Sequence, residues 1–179
     1  VARKEPVMDN DSAVRRLDKT GRLVIPKRMR RALHWQSGDP IVLTLHAKSS
    51  LLLHRYPQLQ ALRTLVAGYA DAFYATCTVP IALCDREHVL VSRGFGLLNG
   101  APISAAVQRM LTACHEPRGV VEAIQITEAS PLQAAAFVPI LSRDNVAGGL
   151  LIGQAHEPPG EDTLTAAALV TRMIAAQLL

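Results

Sequence analysis

At 179 residues the chain is long enough for one large domain or two small ones, and its 49% hydrophobic and 19% charged content excludes fibrous, low-complexity and wholly disordered classes. No apolar run approaches the roughly 18 residues of a spanning helix, and no basic stretch followed by an apolar one opens the sequence, so a soluble, cytoplasmic protein without membrane contact is expected. The formal charge of +4 conceals a division: residues 1–56 hold 12 Lys or Arg against 5 Asp or Glu, whereas residues 57–179 hold 7 against 10.

Residues 1–12 are polar without a period and are expected to form a flexible tail, and the absence of an initiator methionine suggests a trimmed or partial start. Val14 to Leu17 and Leu23-Val24-Ile25 read as short strands around Asp18-Lys19-Thr20-Gly21, which has turn chemistry with a glycine free to take positive φ. Pro26 suits the first position of a helix predicted to reach about His34. At about 100° per residue, Lys27, Arg30, Arg31 and His34 share one arc while Met29, Ala32 and Leu33 lie opposite. Gln36 to Pro40 breaks the helix, and Ile41 to Leu45 and Leu51 to Leu53 then read as strands joined through Lys48-Ser49-Ser50.

Cations are densest between residues 14 and 31, where Arg15, Arg16, Lys19, Arg22, Lys27, Arg28, Arg30 and Arg31 are opposed only by Asp18. Such a segment suits a polyanion, although a merely solvated face has the same composition. Membrane-surface binding would need large apolar residues opposite the cations on a long helix, and this helix is too short. A β-β-α-β-β module of this size, with Trp35 and Tyr56 as its only aromatics, buries too little apolar surface to be secure alone and is expected to dimerise.

The run Val14-Arg15-Arg16-Leu17-Asp18 through Gly21-Arg22-Leu23-Val24-Ile25-Pro26, followed by Arg30-Arg31-Ala32-Leu33 and Gly38-Asp39-Pro40, resembles the swapped-hairpin domain of AbrB-type transition-state regulators. The resemblance implies a β-barrel dimer that binds double-stranded DNA, with Arg15, Arg22, Arg30 and Arg31 on one surface by motif position and Arg16 and Lys27 beside them. Arg28 stands where members often carry an acidic residue, so this surface is more cationic. Swapped hairpins also occur in antitoxins, an alternative reading as a protein-interaction module; those usually end in a short disordered inhibitory tail, whereas a folded segment of about a hundred residues is expected here.

Residues 57–78 read as a linker or dimerisation helix, with Leu59, Leu62, Val66, Tyr69 and Phe73 spaced by three and four. Two heptads are equally compatible with a helix packed on its own domain, and both readings stay open. From residue 79 the texture is mixed. Val79 to Leu83 and His88 to Ser92 flank an Asp85-Arg86-Glu87 turn, Ile103 to Cys114 is an amphipathic helix, and Val120 to Ile126 is a strand. Phe137 to Leu141 and Val146 to Ile152 flank Arg143-Asp144-Asn145, and Asp162 or Thr163 can cap a last helix reaching Leu178.

This order, with Val138-Pro139-Ile140 and Gly148-Gly149-Leu150-Leu151-Ile152-Gly153, resembles a GAF domain. The resemblance implies a small-molecule sensor, an assembly module joining dimers into a homotetramer, or both. The effector stays unidentified, and residues 93–102 are a candidate cover over its cavity or else a surface loop on a packed core. The expected fold class is therefore multidomain: a swapped-hairpin, β-rich domain over 13–56, a linker helix over 57–78 and an α+β GAF-like domain over 79–179.

No catalytic, metal or cofactor site is expected. Cys77, Cys84 and Cys114 are odd in number and scattered, which suits reduced, buried thiols rather than a disulfide framework or metal site. In Cys114-His115-Glu116 adjacent helical side chains point in different directions, and His88, His115 and His156 lie in separate elements without evident partners.

Overall fold

In the computed structural model the chain divides into two compact units, Val1–Tyr56 and Pro57–Leu179. The structure describes residues 12–47, 49–113, 119–142, 145–153 and 158–178. The tail, apart from Ser12, lies outside the described residues, as do Lys48, Cys114-His115-Glu116, Arg143-Asp144 and His156.

In the first unit the turn at Asp18 forms as its residues dictate. The Gly21 N–H donates to the Asp18 carbonyl and the Asp18 N–H to the Arg22 carbonyl, both at 3.1 Å, while Gly21 takes φ +79. This is a three-residue hairpin loop with glycine in the left-handed position. The strands expected over 14–17 and 23–25 are not formed among the described residues. Among the described residues no backbone hydrogen bond beyond the Asp18–Arg22 one extends a ladder there, and a strand without a partner has no reason to persist.

Pro26 (φ −58) precedes α1, Lys27–Ala32, as its fixed φ and missing N–H favour. The helix is shorter than expected, ending before Leu33 because His34 adopts φ +53. Trp35 N–H then reaches the Arg30 carbonyl (2.8 Å) and His34 N–H the Arg31 carbonyl (3.1 Å), a paired closure that satisfies two terminal carbonyls. β1 (Ile41–His46) and β2 (Ser50–Arg55) form an antiparallel hairpin in which Leu43 faces Leu53 and Leu45 faces Leu51. No described residue of this unit is buried. Val24 and Leu45 are 73% and 72% exposed, and Val14, Leu17, Leu23, Leu33, Leu43, Leu51 and Leu52 are also exposed.

The second unit has the opposite character. After α2 (Gln58–Ala61) and α3 (Arg63–Cys77) come β3 (Ile81–Asp85), β4 (Val89–Arg93), α4 (Ala105–Ala113), β5 (Gly119–Gln125), β6 (Gln133–Ser142), β7 (Asn145–Gly153) and α5 (Glu161–Ala175). The five strands form one antiparallel sheet in the order β4-β3-β7-β6-β5. Alternation along the strands divides the core between the two faces. Ile81, Leu83, Leu150 and Ile152 pack with Val66, Ala70 and Phe73 of α3 and with Ala167 and Ile174 of α5. Ala82, Cys84 and Leu151 pack instead with Phe95, Ile103 and with Val107 and Leu111 of α4.

The 57–78 segment is two helices meeting at Leu62, and its apolar residues Leu59, Val66 and Phe73 are buried in this unit's own core. The last helix starts after Gly160 with no side-chain cap hydrogen bond, so neither Asp162 nor Thr163 caps it; Glu161 and Asp162 occupy its first turn, where negative charge suits the helix dipole. No described helix is long and apolar enough to cross a membrane.

Two glycines separate packing from propensity. A Cβ on Gly148 would collide with the Cys84 carbonyl and the Leu59 side chain, while one on Gly68 of α3 meets nothing within 4 Å. In chemical denaturation Gly148→Ala is expected to cost roughly 2–3 kcal/mol through overpacking against backbone, and Gly68→Ala to gain about 0.5–1 kcal/mol.

Candidate nucleic-acid interface

The cationic residues singled out in the sequence sit on two elements of the first unit. Arg15 and Arg16 precede the Asp18 turn and Arg22 follows it; Lys27, Arg30 and Arg31 lie on α1. All are exposed except Arg30, which is half-buried. None forms an ion pair with a described carboxylate. Arg15 donates from Nη1 to the neighbouring Val14 carbonyl at 3.1 Å.

Arg28 behaves differently from its neighbours on α1, donating from Nη2 to the Ser12 carbonyl. It also lines, with Arg15, a largely apolar hollow of about 820 Å³. Met29, Ala32 and Leu33 of α1 line that hollow too, together with Leu23, Val24, Ile25, Trp35 and Leu53, whereas Lys27, Arg30, Arg31 and His34 do not. The helix thus turns its apolar residues toward the hollow and keeps most of its cations off it, the division that its 3.6-residue period requires.

The residue that sequence reasoning passed over is Asp18. Its Oδ1 accepts from the Thr20 N–H (2.8 Å), the Thr20 hydroxyl (2.7 Å) and the Arg22 N–H (2.8 Å). The Arg22 amide first, then the Thr20 hydroxyl, hold the Asp18 carboxyl below the usual carboxylate range; desolvation opposes them, and the Thr20 amide adds the least. The Asp-x-Thr-Gly spacing carries the signal, since aspartate side chains bond amides two residues ahead.

In the second unit the 93–102 segment is tied down at Phe95 and at its end, while Leu98 between them is exposed. Phe95 is buried against Gly153, where a Cβ would come within 2.6 Å of the ring. Gly100 N–H donates to the Val89 carbonyl (2.7 Å), Val89 N–H to the Ala101 carbonyl (2.8 Å), and Ile103 N–H to the Glu87 carbonyl (2.9 Å). Cys84 is buried, and burial first, then the nearby Asp85 charge, push its thiol up to about 12, so it is no nucleophile near neutral pH. Among the described residues no group of three or more His, Cys, Asp or Glu comes together as a metal site.

No family model matches the chain. It is similar to stage V sporulation protein T of Bacillus subtilis (strain 168), with 26% identity over 156 residues that cover 83% of this chain and 86% of the relative. The match therefore runs through both units rather than through the basic segment alone.

Asp18 gives the turn a pH signature. Its folded pKa lies below 3.8, so the turn's stabilisation is complete above that value and is lost as pH falls through the depressed one. The Thr20 and Arg22 amide signals in NMR are expected to hold their positions down to about pH 4 and to move only in stronger acid.

Proposed function

We propose that the chain is a DNA-binding transcription regulator that acts as a dimer. The observation that carries the reading is the set of six cations on the Asp18 hairpin and α1, which no described carboxylate neutralises. Arginine offers a planar fork of donors that grips a phosphate or the O6 and N7 edge of guanine, which lysine cannot do bidentately. The resemblance to AbrB-type regulators assigns the surface to Arg15, Arg22, Arg30 and Arg31, which two-fold symmetry doubles to eight guanidiniums; Arg16 lies beside them, and Lys27 and Arg28 suit non-specific phosphate contacts rather than base reading.

The dimer is supported by the first unit's burial. A unit with no buried described residue and exposed Val14, Leu17, Val24, Leu43 and Leu45 lacks a core of its own, and interlocked hairpins from a second copy supply one. Those hairpins also provide the backbone partners that the 14–17 and 23–25 segments lack.

Binding of this kind is mainly electrostatic, with sequence preference from a few arginines in the major groove and from DNA deformability, which favours a loosely defined, A·T-rich site. The second unit, GAF-like in its element order, serves effector sensing, assembly of dimers into a tetramer, or both. A coupling of about 1–3 kcal/mol between the units would suffice to regulate duplex affinity. The protein works where the chromosome is, in the cytoplasm.

Neutralising about eight phosphates per dimer gives a slope of log K against log salt near −7, at about −0.9 each. Fluorescence anisotropy with a labelled duplex should return that slope, and Arg22→Glu with Arg30→Glu should abolish duplex retention at unchanged mass. Binding insensitive to salt would reject the reading.

The dimer has its own test. Val24→Asp and Leu45→Asp change exposed side chains and would shift a single chain's stability by no more than about 0.5 kcal/mol. Under the proposed pairing they break the assembly, and light scattering should record a fall in mass together with loss of duplex binding.

A further inference from the structure

Residue 18 is electrostatically the wrong choice for its position. Between residues 12 and 38 it is the only carboxylate, among eight Lys and Arg, and it is fully exposed at the tip of the hairpin. A side chain there that merely faced solvent would oppose every phosphate drawn to Arg15, Arg16, Lys19 and Arg22. Removing its charge should therefore tighten binding to a polyanion, slightly, because screening confines exposed charges to short range.

The hydrogen bonds say otherwise. One oxygen, Asp18 Oδ1, holds the Thr20 amide, the Thr20 hydroxyl and the Arg22 amide at 2.7–2.8 Å. The same residue's backbone closes the loop twice, its carbonyl to the Gly21 N–H and its N–H to the Arg22 carbonyl. Five hydrogen bonds tie residue 18 to residues 20–22, and two of them grip Arg22 by its own N–H and carbonyl. Few other ways remain for the chain to leave the turn, so the Cα–Cβ direction of Arg22 is set relative to Asp18.

We propose that Asp18 is a positioning residue for duplex binding, acting through the Arg22 backbone to aim the Arg22 guanidinium. This rests on the DNA-binding reading above and adds to it that the one anion in the cationic segment raises affinity. Charge and geometry then predict opposite signs for the same substitution. Alanine removes the repulsion and the three side-chain hydrogen bonds together, whereas asparagine removes the repulsion but keeps an oxygen that accepts the same three donors.

The test uses the full-length chain and a labelled A·T-rich duplex, with binding measured across a salt series for wild type, Asp18→Ala and Asp18→Asn. Asp18→Ala is expected to weaken binding about tenfold and to flatten the salt slope by about 2, one phosphate contact from each Arg22 of a dimer. Asp18→Asn is expected to bind at least as tightly as wild type with the full slope. Light scattering and thermal melting report mass and folding for all three.

Asp18→Ala binding as tightly as wild type, or more tightly, overturns the inference, because charge alone then governs the position. Asp18→Asn weakening along with Asp18→Ala overturns it too, and that arm decides alone if the alanine variant fails to assemble. Wild type without salt-dependent duplex binding would instead defeat the parent reading, a failure visible before any variant is compared.

Discussion

The first unit depends on one constraint: its apolar side chains exceed what its own backbone can cover. Leu43, Leu45, Leu51 and Leu53 share one face of the β1–β2 hairpin through their cross-strand pairing, and among the described residues nothing buries that face: Leu43, Leu45 and Leu51 are exposed and Leu53 is half-buried. The hollow beside α1 adds Met29, Leu33 and Trp35 to the same deficit. Burial is the main favourable term in folding, so a segment that forgoes it must find the missing surface elsewhere. A second copy is the partner proposed because the deficit includes unpaired backbone as well as apolar area, and a swapped hairpin supplies both at once.

The second unit meets the same requirement internally. Its sheet is covered on both faces, and residues that alternate along β3 and β7 divide cleanly between them. Close packing shows in the glycines: Gly149 lies under the Phe137 ring and Gly153 under Phe95, positions where even a methyl group has no room. Such a unit is a firm base on which a signal or an assembly contact can act. Any ligand that enters it has to contend with Phe95 and with the backbone bonds that tie residues 100–103 back to residues 87–89.

Much of this is legible in the sequence wherever local chemistry decides. Pro26 marks the start of α1, the run Ile41 to Leu45 and the leucines after Ser50 give the hairpin, and the separation of Lys27, Arg30 and Arg31 from Met29, Ala32 and Leu33 follows from the helical period. The apolar spacing over 59–73 is legible too, but whether it faces another chain or its own sheet is a tertiary matter; Val66 and Phe73 are buried in their own unit. Local signals mislead where a long-range partner or an unusual backbone decides. Val14 to Leu17 has strand composition without a partner on the same chain. His34 ends α1 from a left-handed conformation that glycine or asparagine would have advertised. The candidate site divides in the same way: the arginines stand out by composition, whereas the contribution of Asp18 lies in three hydrogen bonds that no charge count reveals.

The turn between β3 and β4 separates what is general in the Asp18 arrangement from what is particular. There Asp85 Oδ1 accepts from the Glu87 and His88 amides, both at 2.7 Å, and the Asp85 N–H donates to the His88 carbonyl at 3.0 Å. The two hairpins share one device, an aspartate that satisfies amides two or more residues ahead and so fixes how the chain reverses. At Asp85 the neighbours are Arg86, Glu87 and His88, a mixture with no net demand for any partner, and the strands it joins are already buried in a sheet. At Asp18 the neighbours are cations and the strands lack partners. The device by itself is therefore a means of folding, and its functional weight comes from what it holds: a fixed turn becomes an aiming element only where the side chains at its ends are unneutralised arginines on an otherwise uncommitted surface.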